Sequence, residues 1–247
     1  MKYFGIIGYP LSHSFSKKYF SEKILLQGIT NTLFEEYPLP LIDKLIPLLK
    51  QNSNIEGLCI TIPHKQAVLQ YLTDWQHLPI GLNACNCIKI VGDQLIGFNT
   101  DVIGFERSLL PLLQTHHTQA LILGNGGAAA AVKFVLNRMG ITFKIVSRTI
   151  HDGSDLVYAE LDEAIIKAYP LIINTTPLGT FPAINDCPAI PYQFLTANHL
   201  LFDLVYNPSK TVFLQKGAEQ GAKIKNGYEM LVIQAEANWA IWNGFRD

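Results

Sequence analysis

Ala120-Leu121-Ile122-Leu123-Gly124-Asn125-Gly126-Gly127-Ala128-Ala129-Ala130-Ala131 decides how this chain is read, because an apolar run breaks into glycines and then into small helix-forming residues. The stretch predicts a strand, a tight turn and a helix. Gly124 can take the strained turn, Gly126 lacks the Cβ that would hold a pyrophosphate away, and Ala129 allows close packing of helix on strand. The first helical amides, including those of Gly127 and Ala128, then face the phosphates. An ordinary βα turn with no ligand has the same pattern. The residues that follow favour the nucleotide. A second β run over 143–146 ends in Ser147-Arg148-Thr149, where an NAD-binding fold usually places an acid for the ribose hydroxyls. A cation between two hydroxyls suits a 2′-phosphate instead, and so NADP.

From there toward the C-terminus, the pattern predicts a helix over 128–139, a strand over 141–147 and a short helix over 161–169. Buried strands over 171–174 and 199–203 end in the polar turns Asn174-Thr175-Thr176-Pro177 and Leu204-Val205-Tyr206-Asn207-Pro208. A helix over 211–220 stops at Gly221. The last pattern, 228–242, has apolar residues at helical spacing with Gln234 among them. A single Gln in such a helix is usually a surface residue, and Trp239 and Trp242 are more often core than ligand contacts.

Toward the N-terminus the pattern predicts strands over 3–7, 33–37 and 57–63 and helices over 17–26 and 42–50, an alternation that implies βα units and a mainly parallel sheet. Ser14 and Ser16 stand just before the first helix. Ser16 serves equally as its N-cap, and the two hydroxyls at a helix start suit a carboxylate. Thr61 and Lys65 fall at the carboxyl edge of the third strand, where open α/β sheets bind ligands. A lone Lys is commonly a solvated charge, whereas one desolvated in a cleft exchanges a proton with a reacting hydroxyl. A helical pattern over 66–72 follows. Next comes a hairpin of 83–90 and 94–98, with Asn86 in its first arm, and then a helix from Asp101 to about 113. Asp101 is either an N-terminal helix charge or, if it meets Lys65, the carboxylate that orients the ammonium.

Composition sets the outer limits. The 247 residues are 49% hydrophobic, enough for one large or two modest domains, and the formal net charge of -1 without a basic cluster argues against nucleic acid or an anionic membrane as partner. Cys59, Cys85, Cys87 and Cys187 show no CxxC spacing and read as thiols of a reducing cytoplasm, with no metal site expected. No leader or membrane-spanning run is expected from the sequence.

Taken together, the motifs resemble the shikimate dehydrogenase family, which includes the shikimate/quinate enzymes, along nearly the whole length. The matching pieces are Gly8-Tyr9-Pro10…His13-Ser14-x-Ser16, Thr61-x-Pro63-x-Lys65, Asn99-Thr100-Asp101, Gly124-x-Gly126-Gly127-Ala128, Ser147-Arg148-Thr149, Asn174-x-Thr176-Pro177-x-Gly179, Asp203-x-Val205-Tyr206-x-Pro208 and Met230-Leu231…Gln234-Ala235. The resemblance implies an α/β fold: a substrate-binding domain of 1–100 with 223–247, a Rossmann-type NADP-binding domain of 101–222, and a site in the cleft between them. It implies reversible NADP-dependent reduction of 3-dehydroshikimate to shikimate in aromatic amino-acid biosynthesis, with Lys65 and Asp101 as the catalytic pair.

By the same resemblance Ser14, Ser16 and Tyr206 hold the substrate carboxylate, and Thr61, Asn86, Asp101 and Gln234 hold the ring hydroxyls. Gly124, Asn125, Gly126, Gly127 and Ala128 cradle the cofactor. Ser147, Arg148 and Thr149 clamp its 2′-phosphate, and Leu204 and Gly227 lie near the nicotinamide. The chain also departs from the family. Lys17 replaces a usual Pro, and Phe20-Ser21 stands where the family has a His-Asn pair. Cys59 and Ser147 each replace an Asn, and Ile150-His151-Asp152 lacks a second basic residue. Three readings stay open: a shikimate dehydrogenase, a quinate/shikimate dehydrogenase whose site admits a further C1 hydroxyl, and a catalytically silent nucleotide-binding paralogue. A homodimer is compatible with all three.

Overall fold

The computed structural model describes residues 1–11, 14–150 and 153–244, which divide into two compact units, Met1–Ile103 with Gln234–Asp247, and Gly104–Ile233. The chain passes from one to the other within two helices, α3 (Asp101–Leu109) and α7 (Tyr228–Trp242).

In the first unit, β1 (Lys2–Gly8), α1 (Phe15–Leu26), β2 (Thr32–Pro38), α2 (Leu45–Gln51) and β3 (Ile55–Ile60) alternate as the sequence pattern requires. They are followed by the hairpin β4 (Cys87–Val91) and β5 (Gln94–Phe98). The sheet order is β2-β1-β3-β4-β5, parallel across the first three strands and antiparallel across the last three. The sheet is therefore mixed, because only the βα units can return the chain in parallel while a short turn reverses it. Successive side chains alternate between its faces. Phe4, Ile6, Cys59 and Cys87 pack with Phe20, Phe34, Ala235 and Trp242 on one side. Ile7, Leu58, Ile60 and Ile88 pack with Leu45, Val68 and Leu72 on the other. Trp242 stacks on Phe4 at 4.8 Å, donates its indole N–H to the Ile88 carbonyl at 3.0 Å, and covers Gly57, where a Cβ would collide with the ring.

The second unit holds β6 (Gln119–Leu123), α4 (Gly127–Arg138), β7 (Thr142–Ser147), β8 (Leu156–Val157), α5 (Glu163–Ala168), β9 (Leu171–Asn174), β10 (Leu200–Asp203), α6 (Val212–Glu219) and β11 (Lys223–Lys225). All its strand pairs are parallel, in the order β11-β10-β9-β6-β7-β8. Read from the other edge this is the doubly wound order, with the reversal between β6 and β9. Its central strands are buried on both faces, which explains their uninterrupted apolar runs.

Several expectations need correction. The segment 66–72 is a short 3₁₀ turn over Ala67–Tyr71, and residues 83–86 precede β4 without joining it. The return to the first unit falls after Ile233 and not at 223, because Lys223–Lys225 pairs with β10 as the edge strand of the second sheet. Gln234 is buried rather than exposed. Among the described residues, no helix is long and apolar enough to cross a membrane.

Candidate active site

In the first unit the turn after β3 is fastened at several points. The Thr61 amide donates to the Ile7 carbonyl at 3.0 Å, and its carbonyl accepts the His64 amide at 2.9 Å. The buried His64 ring donates from Nε2 to the Leu39 carbonyl at 2.5 Å. Gly8 makes this possible, since a Cβ there would overlap the Thr61 methyl. Lys65, next in the turn, accepts the Cys85 amide on its carbonyl at 2.8 Å.

The start of α3 is equally constrained. Asn99 accepts the Val102 amide at 3.3 Å and donates to the Ala84 carbonyl at 2.8 Å, while Asn86 Oδ1 accepts the Thr100 amide at 2.7 Å. These two scaffolds bring Lys65 Nζ to 2.6 Å from Asp101 Oδ2, with side-chain exposures of 17% and 11%. That leaves the pair mostly withdrawn from water yet reachable. A carboxylate so placed orients the ammonium, and the ammonium is positioned to give or take a proton.

Ser14 is the N-cap of α1, accepting the Lys17 amide at 3.3 Å. Of the two serines that could cap the helix, Ser14 does so; Ser16 lies inside the first turn and is buried. His13, part of the quoted motif, lies outside the described residues.

In the second unit Gly124 follows β6 at φ +96°, and a Cβ there would meet the Thr176 methyl at 2.7 Å, so both backbone and space require glycine. The Thr175 hydroxyl donates to the Leu123 carbonyl at 2.8 Å, joining the loops at the ends of β6 and β9. Gly126 is the N-cap of α4 and offers no side-chain oxygen to the helix amides. A Cβ on Gly126 or Gly127 would meet nothing within 4 Å. Protein packing therefore does not demand these two glycines, and the space beside the helix N-terminus stays open. Ala129 is fully buried against the sheet.

Asn125 donates to the Gly153 carbonyl at 3.1 Å and accepts Lys133 Nζ at 2.9 Å. Ser147 closes its own loop by donating to the Thr149 carbonyl at 2.6 Å. Arg148 is exposed and near enough to Tyr158 to oppose the rise of that phenol to about 12 on burial. His151 and Asp152, where a second base was missing, lie outside the described residues. Gly227 presses on the Leu204 backbone so closely that a Cβ would overlap its carbonyl, so these two residues are brought together. Tyr206 is half-buried, and burial raises its phenol.

Residues 6–88 match the shikimate dehydrogenase substrate binding domain. The shikimate dehydrogenase (NADP(+)) of Halothermothrix orenii is 34% identical over 98% of this chain and 91% of its own length. The chain belongs to the shikimate dehydrogenase family. Among crystal structures, shikimate 5-dehydrogenase from Thermus thermophilus, in complex with NADP(H) and shikimate, superposes with a TM-score of 0.84 at 27% identity, covering 99% of this chain and 94% of that one. Quinate dehydrogenase from Corynebacterium glutamicum, in complex with NAD, gives 0.85 at 25% identity over 99% and 94%.

Sequence reasoning missed two buried polar groups. Asp203 accepts Asn174 Nδ2 at 2.9 Å, the Val205 amide at 3.0 Å and the Thr211 hydroxyl at 2.6 Å. Desolvation lifts its carboxyl to about 6 against the pull of those bonds. It ties the ends of β9 and β10 to the cap of α6. The second is Asn238, wholly buried on α7. A polar residue in an apolar helix, one turn after Gln234, was its only sequence signal.

Proposed function

We propose that this chain is an active NADP-dependent shikimate dehydrogenase, reducing 3-dehydroshikimate reversibly to shikimate. The observation that carries the reading is the Lys65–Asp101 pair at 2.6 Å, fixed on two backbone segments that are both fastened to residues 84–86. The first unit takes the substrate and the second takes NADP. The cofactor, when bound, supplies the hydride exchange at C3. Lys65 Nζ donates a proton to the C3 oxygen as the carbonyl is reduced and recovers it when shikimate is oxidised. Asp101 keeps the ammonium aimed at that oxygen and accepts from a ring hydroxyl. Thr61, Asn86 and Gln234 hold the remaining hydroxyls, while Ser14, Ser16 and Tyr206 bind the carboxylate.

The open cradle at Gly126 and Gly127 fits a pyrophosphate, and Arg148 fits the 2′-phosphate. The four free cysteines suit a reducing cytoplasm. The test is turnover: purified protein should reduce 3-dehydroshikimate with NADPH and oxidise shikimate with NADP. Comparable rates with quinate would mark a site open to the C1 hydroxyl. Folded protein that binds NADPH but turns over none of these substrates would identify a silent paralogue.

A further inference from the structure

Behind the residues assigned to the ring hydroxyls lies a polar cluster that the proton transfer does not use. Asn238 donates from Nδ2 to Gln234 Oε1 at 3.3 Å and to Cys59 Sγ at 3.3 Å, and its Oδ1 accepts the Thr100 hydroxyl at 2.6 Å. The Thr100 oxygen in turn accepts Asn86 Nδ2 at 3.0 Å. One buried amide thus touches the end of β3, the residue before α3, and α7. Burial of the Cys59 thiol pushes it up to about 12, so it remains a neutral group for the amide and for Ser16 to bond. An apolar side chain of the same shape would fill this space without desolvating two donors and an acceptor. Two of these three side-chain hydrogen bonds of Asn238 instead lead to a residue assigned to the substrate, Gln234, or to the support of one, Thr100.

We propose that Asn238 is a positioning residue for the ring hydroxyls. Its donation to Oε1 fixes which end of the Gln234 amide turns inward, and its acceptance from Thr100 steadies the hydroxyl that holds Asn86. The proposal rests on the reading of Gln234 and Asn86 as ring-hydroxyl ligands. The test is steady-state kinetics of the full-length enzyme carrying Asn238→Leu, Gln234→Ala and both together, with Tm measured for each.

Asn238→Leu should raise the KM for shikimate about tenfold, as loss of one oriented hydrogen bond does. The KM for NADP and kcat should stay within about twofold of wild type. The double variant should be no worse than Gln234→Ala alone, since the two residues act as one unit. An unchanged shikimate KM in Asn238→Leu, while Gln234→Ala raises it, overturns the positioning role and leaves the substrate assignment standing. Effects that multiply in the double variant, or a rise in both KM values that tracks a fall in Tm, also overturn it. If Gln234→Ala itself has no effect, the assignment of Gln234 fails and takes the proposal with it. Should the leucine variant not fold, Asn238→Asp carries the same readout, because it keeps the acceptor for Thr100 and replaces the donor to Gln234 with an acceptor.

Discussion

In the first unit the groups assigned to substrate are side chains fastened to other side chains: Lys65 to Asp101, Asn86 to Thr100, Gln234 to Asn238. In the second unit the groups assigned to the cofactor at the end of β6 are backbone amides and two glycines whose missing Cβ atoms leave open space. The first site is built by what its residues carry and the second by what they omit. Damage should therefore come from deleting atoms in one and adding them in the other.

The largest effect belongs to the proton. Lys65→Ala should lower kcat by roughly 10² to 10⁴, the usual range for a general acid or base, with a much smaller change in KM. Steady-state kinetics check it. A raised KM with kcat near wild type would make Lys65 a ligand only, and the contrast between the units would lose its chemical half.

Adding one methyl group on the other side should cost less but be more selective. Gly126→Ala has an ordinary backbone conformation and no protein atom to strike, so Tm should hold. Affinity for NADPH and NADH should fall alike, on the order of tenfold or more, because the pyrophosphate is common to both. Gly124→Ala, at φ +96° and against Thr176, should instead destabilise the fold by about 1–3 kcal/mol. Fluorescence titration with both cofactors and thermal melts separate the two. A loss confined to NADPH would move Gly126 away from the pyrophosphate.

The smallest effect sharpens a double role. Ser14 caps α1, so Ser14→Ala should cost about 1 kcal/mol of stability and raise the shikimate KM on the order of tenfold. Ser14→Asp restores a capping oxygen but sets a charge against the substrate carboxylate. Its Tm should recover while its KM rises further. A KM that follows Tm in both variants would reduce Ser14 to a cap.

The second unit was the more legible in sequence. Its apolar runs and the glycines after Leu123 each have a single good physical solution, and the strand Leu171–Asn174 matches the pattern residue for residue. What escaped were β8 and β11, two and three residues long, too short for any period to register. Missing β11 also misplaced the return to the first unit. The stretch 66–72 has helical spacing, but after the Val68 amide bonds the His64 carbonyl its backbone closes tighter turns, with Leu69 on Gln66 and Leu72 on Leu69. Which of Ser14 and Ser16 caps α1 stayed open in the sequence because both precede the same apolar pattern, and only the turn geometry tells them apart. Of the Asn238 cluster the sequence signalled only the spacing from Gln234. Spacing along one helix cannot announce contacts with β3 and with the residue before α3.

Trp242 and Ala235 lie in the same core as Phe4, Ile6 and Phe20. On the ribosome, β1 therefore waits for the second half of α7, which is made only after residues 104–233. Residues 104–233 form a continuous segment and can collapse as they emerge, while the N-terminal sheet keeps one aromatic face uncovered throughout their synthesis. The unit that handles substrate is thus the later to mature. Completion of its core waits on the long-range closure of Trp242 over Gly57.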